Sequence, residues 1–256
     1  MVEIKTSTYW KFRRLDQNFV HLLRKIRKKG KFNLQDANGP FWIFGRMQLL
    51  SGSFEYVVDE EPLSPKGKTW GFCLAPFSIT QVRSMNPHLI GEMLICPAHL
   101  SPGDWDRRNP ILFDVPHTGR PLNVDDLHAW SEQPRHESQN ISRSSRPDPL
   151  AARIKNLLDR QYNQPVAIAD LAQKLRIRAP SLSRAFKRSY GMSAIEYRTW
   201  LRVMTAGQLL LRQNEISDVF QDVGFGDLSR FYKQFKNIAT VSPGRYSVKT
   251  KKDDLG

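Results

Sequence analysis

The sequence predicts an α+β protein of two domains, with a mostly β N-terminal part built as a barrel or sandwich and an all-α C-terminal part. Three observations carry this expectation. The first half holds short apolar or alternating runs broken by Gly, Pro, Ser and Asn. The stretch WSEQPRHESQNISRSSRPDP (130–149) is polar and almost free of aliphatic residues. Beyond it, apolar residues recur at helical spacing, and the segment contains an internal repeat. The expected organisation is therefore a domain over 1–130, a linker over 131–149, a helical domain over 150–248 and a basic tail over 249–256.

In the first domain the runs are FWIFGRMQLL, GSFEYVVD, TWGFCLAP, SITQVR and HLIGEMLIC. Their β-branched and aromatic content, with turn residues at short intervals, reads as separate strands of an antiparallel sandwich or barrel. Residues 11–31, KFRRLDQNFVHLLRKIRKKGK, are strongly basic and leave room for a short helix; they read as a solvated face or peripheral segment ahead of a dedicated nucleic-acid or membrane contact.

After the linker the period becomes 3.6. Ala152/Ile154/Leu157/Leu158, Ile168/Leu171/Ala172/Leu175, Leu182/Ala185/Phe186, Tyr197/Leu201/Met204 and Ile216/Val219/Phe220/Val223 form successive stripes. IADLAQKL (168–175) matches ISDVFQDV (216–223), and LSRAFKRSYGMSAIEY (182–197) matches FYKQFKNIATVSPGRY (231–246), one residue out of register between the two blocks. Each copy reads as a helix, a tight turn and a second helix, which is the helix-turn-helix arrangement. The first unit is expected at about 168–189, a connecting helix at about 193–212 and the second unit at about 216–238. Ser193 with Glu196 makes a capping box for the connecting helix, and Ser242-Pro243 opens a further helical turn.

The Gly224-Phe225-Gly226 sequence does not suit a dinucleotide phosphate loop. Such a loop follows a strand and needs a third glycine, whereas ISDVFQDV is helical and the third position is Ser229. Gly224 instead ends a helix in the left-handed conformation, Phe225 enters the core and Asp227 caps the next helix.

With the apolar stripes turned inward, the second helix of the first unit presents Ser183, Arg184 and Lys187, with Arg178 and Ser181 at its entry. The second unit presents Ser229, Arg230, Tyr232, Lys233 and Lys236. Hydroxyls and long cations in this arrangement bond phosphates and the acceptor-rich guanine edge of a major groove, so these ten residues are the candidate contacts to double-stranded DNA. The charge distribution agrees. The net charge is +14, and residues 150–256 hold 19 Lys/Arg against 9 Asp/Glu while residues 1–149 hold 20 against 16. A basic surface of this kind attracts nucleic-acid backbones. The connecting helix, about 30 Å long for 20 residues, suits a spacer between grooves about 34 Å apart.

Other classes are disfavoured. No run of 18 apolar residues spans a membrane, and the N-terminus lacks a secretory apolar stretch, which leads us to expect a cytoplasmic protein. Cys73 and Cys96 have no partners at zinc spacing, and His21, His88, His99, His117, His128 and His136 are scattered, so neither a metal site nor a cofactor is expected.

Residues 150–248 resemble the DNA-binding domain of AraC/XylS-type bacterial transcription regulators. The similarity rests on ADLAQKL, on LSRAFKRSYGMSAIEYR, on the A-x-x-LL of Ala206-Leu209-Leu210, and on I-x-x-V-x-x-x-GF leading into F-x-x-x-FK and SPGRY. It covers about two-fifths of the chain. The resemblance implies a tandem helix-turn-helix domain that binds asymmetric promoter sites, often beside RNA polymerase and usually to activate transcription. Three positions depart from the pattern: Phe220 stands where a small residue is usual, Thr240 where a Gly is usual, and Ala194 where a Pro is usual. The first unit, around Arg184, follows the pattern more closely.

The region LLSGSFEYVVDEEPLSPKGKTWGFCLAPFSITQVR is similar, in pattern, to the cupin-like effector domain of many such regulators. That similarity implies a barrel that senses a small molecule or dimerises. Trp42, Phe44, Trp70 and Phe72 then either line an effector pocket or form the barrel's core. Two alternatives stand beside this reading: an N-terminal domain that binds only protein partners, and a DNA-repair enzyme with a nucleophilic Cys. Against the enzyme, neither Cys has an evident activating arrangement, with His99 the lone candidate base near Cys96.

Overall fold

A computed structural model describes residues 7–63, 65, 67–100, 111–115, 120–131, 135–136, 148–212, 215–239 and 241–246. The chain divides into two compact units, Met1–Gln35 with Phe41–Arg143, and Ser144–Gly256 with Asp36–Pro40.

The first unit is an antiparallel sheet with one capping helix. Its strands are β1 (Ser7–Arg14), β2 (Val20–Arg27), β3 (Lys31–Ala37), β4 (Phe41–Val58), β5 (Glu61–Leu63), β6 (Thr69–Leu74), β7 (Ile79–Pro97), β8 (Ile111–Phe113) and β9 (Arg135–His136), with helix α1 (Val124–Ser131) between the last two. The strand order is β1-β2-β7-β4-β6-β8-β9, with β3 also pairing β7 and β5 pairing β4. β9, which pairs with β8, falls within the segment expected as linker.

Two expectations change here. The basic segment 11–31 contains no helix; it supplies the second half of β1, all of β2 and the start of β3. In β2 the alternation of buried Ile26 with exposed Lys25 and Arg27 follows a strand period, and both neighbours of β2 supply ladder partners. The β1–β2 turn is closed by Asp16, whose carboxylate accepts from Asn18 N at 2.6 Å and Phe19 N at 2.8 Å. The runs FWIFGRMQLL and GSFEYVVD also do not form separate strands, and neither do SITQVR and HLIGEMLIC. Each pair fuses, into β4 of 18 residues and β7 of 19, and the two pair along their lengths. The residues that suggested turns form a bulge instead. The ladder shifts register between Leu49 and Ser53, where Gly52 has φ +92° opposite Asn86 at φ +51°. A Cβ on Gly52 would lie 2.4 Å from the Asn86 carbonyl oxygen, so the bulge admits only glycine.

The sheet buries both faces. Phe44 pairs with Leu94 and Cys73, while its neighbour Gly45 pairs with Met93 and Phe72, so the register assigns these two sets to opposite sides. One side gathers Trp42, Phe44, Cys73, Leu94, Cys96 and Phe113 under Leu127 and Trp130 of α1, with the Phe113 and Trp130 rings 5.1 Å apart. The other gathers Trp70 and Phe72 with Phe54 and Tyr56, at 5.1 Å for Phe54–Trp70 and 6.1 Å for Tyr56–Phe72.

A polar chain ties β2, β4, β7 and α1. Glu92 on β7 accepts from Arg46 on β4, and His21 Nε2 on β2 stands 3.8 Å from its other oxygen. Arg46 also donates to Arg120 O at 2.8 Å, and Arg120 pairs with Asp126 of α1 at 2.6 Å. Burial pushes the Glu92 carboxyl up, but its interactions with His21 and Arg46 outweigh this and hold it below the usual carboxylate range. A carboxyl lowered on folding stabilises the fold above its unfolded pKa, and that contribution disappears as pH falls through the folded value. Glu92→Gln is therefore expected to destabilise the sheet unit by about 1–3 kcal/mol near neutral pH. The difference in thermal midpoint from wild type should shrink steadily on acidification to about pH 3; a pH-independent difference would assign the effect to packing alone.

Candidate nucleic-acid interface

Six helices and a final turn build the second unit among the described residues. They are α2 (Pro149–Gln161), α3 (Ile168–Lys174), α4 (Ala179–Tyr190), α5 (Ala194–Leu211), α6 (Ile216–Asp222) and α7 (Leu228–Ala239), followed by a helical turn over 243–246. The repeat seen in the sequence is a repeat of geometry. After α3, Arg176 takes φ +55°, its N–H donating to Gln173 O and the Ile177 N–H to Ala172 O. After α6, Gly224 takes φ +85°, its N–H donating to Gln221 O and the Phe225 N–H to Phe220 O. Both units thus turn through the same left-handed cap with the same two hydrogen bonds. In the first unit an arginine tolerates it. In the second a Cβ would lie 2.1 Å from Asn163 O, so the position is confined to glycine.

Each turn launches a helix anchored by one buried stripe. In α4 the anchors are Leu182, Ala185, Phe186 and Tyr190, with Phe186 5.4 Å from Tyr197 of α5. In α7 they are Phe231 and Phe235, both fully buried, packing on Phe225 at 5.3 Å and Tyr246 at 5.3 Å. The opposite stripes face solvent. Arg178, Arg184 and Lys187 are exposed on the first, with Ser181 and Ser183 half-buried. Ser229, Arg230, Tyr232, Lys233 and Lys236 are all exposed on the second. The ten residues singled out in the sequence therefore fall into two groups, one per helix. Neither α4 nor α7 contains an Asp or Glu.

The helix starts are fixed by side chains. Asp227 caps α7, its Oδ1 accepting from Arg230 N at 2.6 Å. Ser193 and Glu196 form the capping box of α5, the Glu196 carboxylate accepting from Ser193 N at 2.7 Å. That bond, with the Ser193 side chain, holds the Glu196 carboxyl below its ordinary range. α5 starts readily at Ala194, and its 18 residues make it about 27 Å long. Asp148 caps α2 and also pairs with Arg188 of α4 at 2.6 Å. Phe220 is half-buried beside Phe231, at 6.4 Å between rings, and Thr240 lies outside the described residues.

Sequence reasoning missed three side chains at this site. Leu228, an apolar residue beside the polar candidates, is 43% exposed at the start of α7, one turn before Tyr232. Arg198 and Arg202, on α5, are half-buried and donate to backbone carbonyls between α2 and α3: Arg198 to Val166 O, and Arg202 to Tyr162 O at 2.6 Å and Gln164 O at 2.9 Å. Burial, then the charges of Arg198 and Arg230, pulls the Arg202 guanidinium down to about 10. Their partners are carbonyls, which a sequence pattern does not mark.

The sheet unit separates its four candidate aromatics. Trp42 and Phe44 stack at 6.0 Å on one face, Trp70 and Phe72 occupy the other, and all four are at most 1% exposed. They do not line one common surface. Burial pushes the Cys96 thiol up to about 12, the opposite of nucleophile activation, and Cys73 is also buried. Among the described residues no group of three or more His, Cys, Asp or Glu converges as metal ligands would, and no helix is long and apolar enough to cross a membrane.

Comparison with known proteins places a family match in the helical unit. Residues 171–248 match the family described as "Helix-turn-helix domain". The lactose operon transcription activator of Staphylococcus xylosus is 30% identical over 92 residues, 36% of this chain and 33% of that protein. The Msm operon regulatory protein of Streptococcus mutans is 32% identical over 95 residues, 36% and 34% of the two chains. This chain thus spans about a third of the length of these two relatives. Among solved structures, ToxT of Vibrio cholerae aligns over 90% of this chain and 98% of its own, at 15% identity and a TM-score of 0.47.

The cap on α7 gives a direct check of how that helix is held. Asp227→Ala should lower stability by about 0.5–2 kcal/mol, with Asp227→Ser retaining most of it. Equal losses in both variants would show that the carboxylate does not act as a cap.

Proposed function

We propose that the protein is a sequence-specific transcription regulator of the AraC/XylS type that grips double-stranded DNA with α4 and α7, on the premise that residues 171–248 match a helix-turn-helix domain. The observation that carries this reading is the matched pair of outward stripes. Two helices launched from the same turn each present hydroxyls and cations, and neither bears a carboxylate to repel phosphate.

α4 and α7 enter successive major grooves on one side of the duplex, which recur about every 34 Å. Arg184 and Lys233 lie on the outward stripes, where a long cation reaches the guanine O6 and N7 acceptors. Exposed Leu228 supplies an apolar contact of the kind a thymine methyl accepts. Lys187, Lys236 and the remaining donors hold phosphates and set register. Activation rather than repression is the favoured sign, supported by the activator among the relatives, and it implies contact with RNA polymerase.

The sheet unit has two readings, small-molecule sensing with or without homodimerisation, and contact with protein partners alone. Full enclosure of Trp42, Phe44, Trp70 and Phe72 by protein favours the second, since these side chains already serve as core.

Full-length protein should select a DNA sequence from a random pool and lose affinity steeply as salt rises. On the selected site Arg184→Ala is expected to cost about 1–3 kcal/mol and relax discrimination at one position, while Lys187→Ala weakens all DNA evenly and reduces the salt slope by about 1. Binding to every DNA unchanged by Arg184→Ala would remove α4 from the interface.

A further inference from the structure

α5 joins the two helix-turn-helix units along the chain, but a helix sets only a length. The relative rotation of α4 and α7 needs lateral contacts, and these converge on Arg202, the ninth of the eighteen residues of α5. Its Nε and one terminal nitrogen donate to Tyr162 O and Gln164 O, at 2.6 and 2.9 Å. Tyr162 is the C-cap of α2, where carbonyls otherwise lack helical partners. The same guanidinium lies over the Phe225 ring, its Cζ 5.6 Å from the ring centroid. One guanidinium thus serves both units, its N–H groups the first and its cation–π contact the second. Gly224 brings the backbone of the second unit's turn against Asn163 in the same loop of the first. Arg198, one turn earlier on α5, holds Val166 O of that loop.

We propose that Arg202 is a positioning residue that fixes the separation and angle of the two reading helices, by clamping the α2–α3 loop of the first unit to the Gly224–Phe225 turn of the second. The clamp reaches both heads. On the first side, α2 is tied to α5 by Tyr197 OH donating to Asp159 Oδ1 at 2.5 Å, and to α4 by the Asp148–Arg188 pair. On the second side, Phe225 packs on Phe231, the central anchor of α7. Only a planar fork satisfies two carbonyls in its plane and an aromatic ring on its face; a lysine ammonium does neither together.

This inference rests on the DNA-binding reading above, and its test separates the two. Full-length protein is bound to its selected DNA, and then to variants with one to five base pairs, about half a helical turn at most, inserted between the two recognised blocks. Wild type is expected to show a sharp optimum, losing about tenfold or more when the second block is turned to the opposite side of the duplex. Arg202→Ala should flatten that profile to within about threefold, because the second head can then swing to follow its groove. Arg202→Lys should follow Arg202→Ala, since charge without the fork does not clamp. Loss of stability alone lowers the active fraction equally at every spacing and leaves the normalised profile unchanged.

A normalised Arg202→Ala profile that superimposes on wild type overturns the proposal, as does an Arg202→Lys profile identical to wild type beside a flattened Arg202→Ala. If Arg202→Ala fails to fold, Phe225→Leu, which removes the ring face while keeping the core filled, is expected to flatten the profile, and an unchanged profile overturns the clamp. Wild-type protein that binds DNA with no spacing preference overturns this inference alone. Protein that binds no DNA at low salt contradicts the DNA-binding reading itself.

Discussion

Everything the helical unit turns outward depends on the burial of Phe186 in α4 and of Phe231 with Phe235 in α7. Each ring removes a large apolar surface from water, and its position fixes the rotation of its helix about its own axis. Once Phe186 lies against Tyr197, Arg184 and Lys187 can only face solvent; once Phe231 sits on Phe225, so must Ser229, Tyr232 and Lys233. The polar chemistry of the surface is thus set by the apolar chemistry beneath it. The left-handed turns at Arg176 and Gly224 aim the two helices, and Asp227 sets where the second begins.

The two copies reach this arrangement under different constraints. The first turn stands clear enough for an arginine at φ +55°, whereas the second lies against the backbone of Asn163 and is held to glycine. That close approach places the turn of one unit on the loop of the other, beside Arg202. The helical unit is therefore more than two heads on a rod. Backbone contact, a guanidinium fork and an aromatic face meet at one point midway along α5.

Much of the helical unit was legible because two independent signals coincide there: a 3.6-residue apolar period, and a repeat that places the same residue types twice. The caps at Ser193 and Asp227 were legible for a similar reason, being local and carried by side chains. What was not legible depended on distant partners. Arg198 and Arg202 bond carbonyls more than 30 residues away, and a carbonyl belongs to every residue type. Leu228 carries neither a charge nor a hydroxyl, the signals by which the candidate contacts were recognised. In the sheet unit, Gly52 and Asn86 read as turn residues but sit facing each other in a bulge, a cross-strand relation that adjacent residues do not encode. The basic segment at 11–31 suggested a helix because its charges outweighed the period-two burial of β2. The four aromatics read equally as one pocket or as core, and only strand register shows that they part by face.

The central claim is that one chain reads DNA at two places on the same side of the duplex. It is tested most directly by chemical footprinting of the full-length protein on its selected site, with a probe of guanine N7 in the major groove. Two protected patches about one helical turn apart and on one face of the DNA are predicted. A single patch, or two patches on opposite faces, would contradict the account.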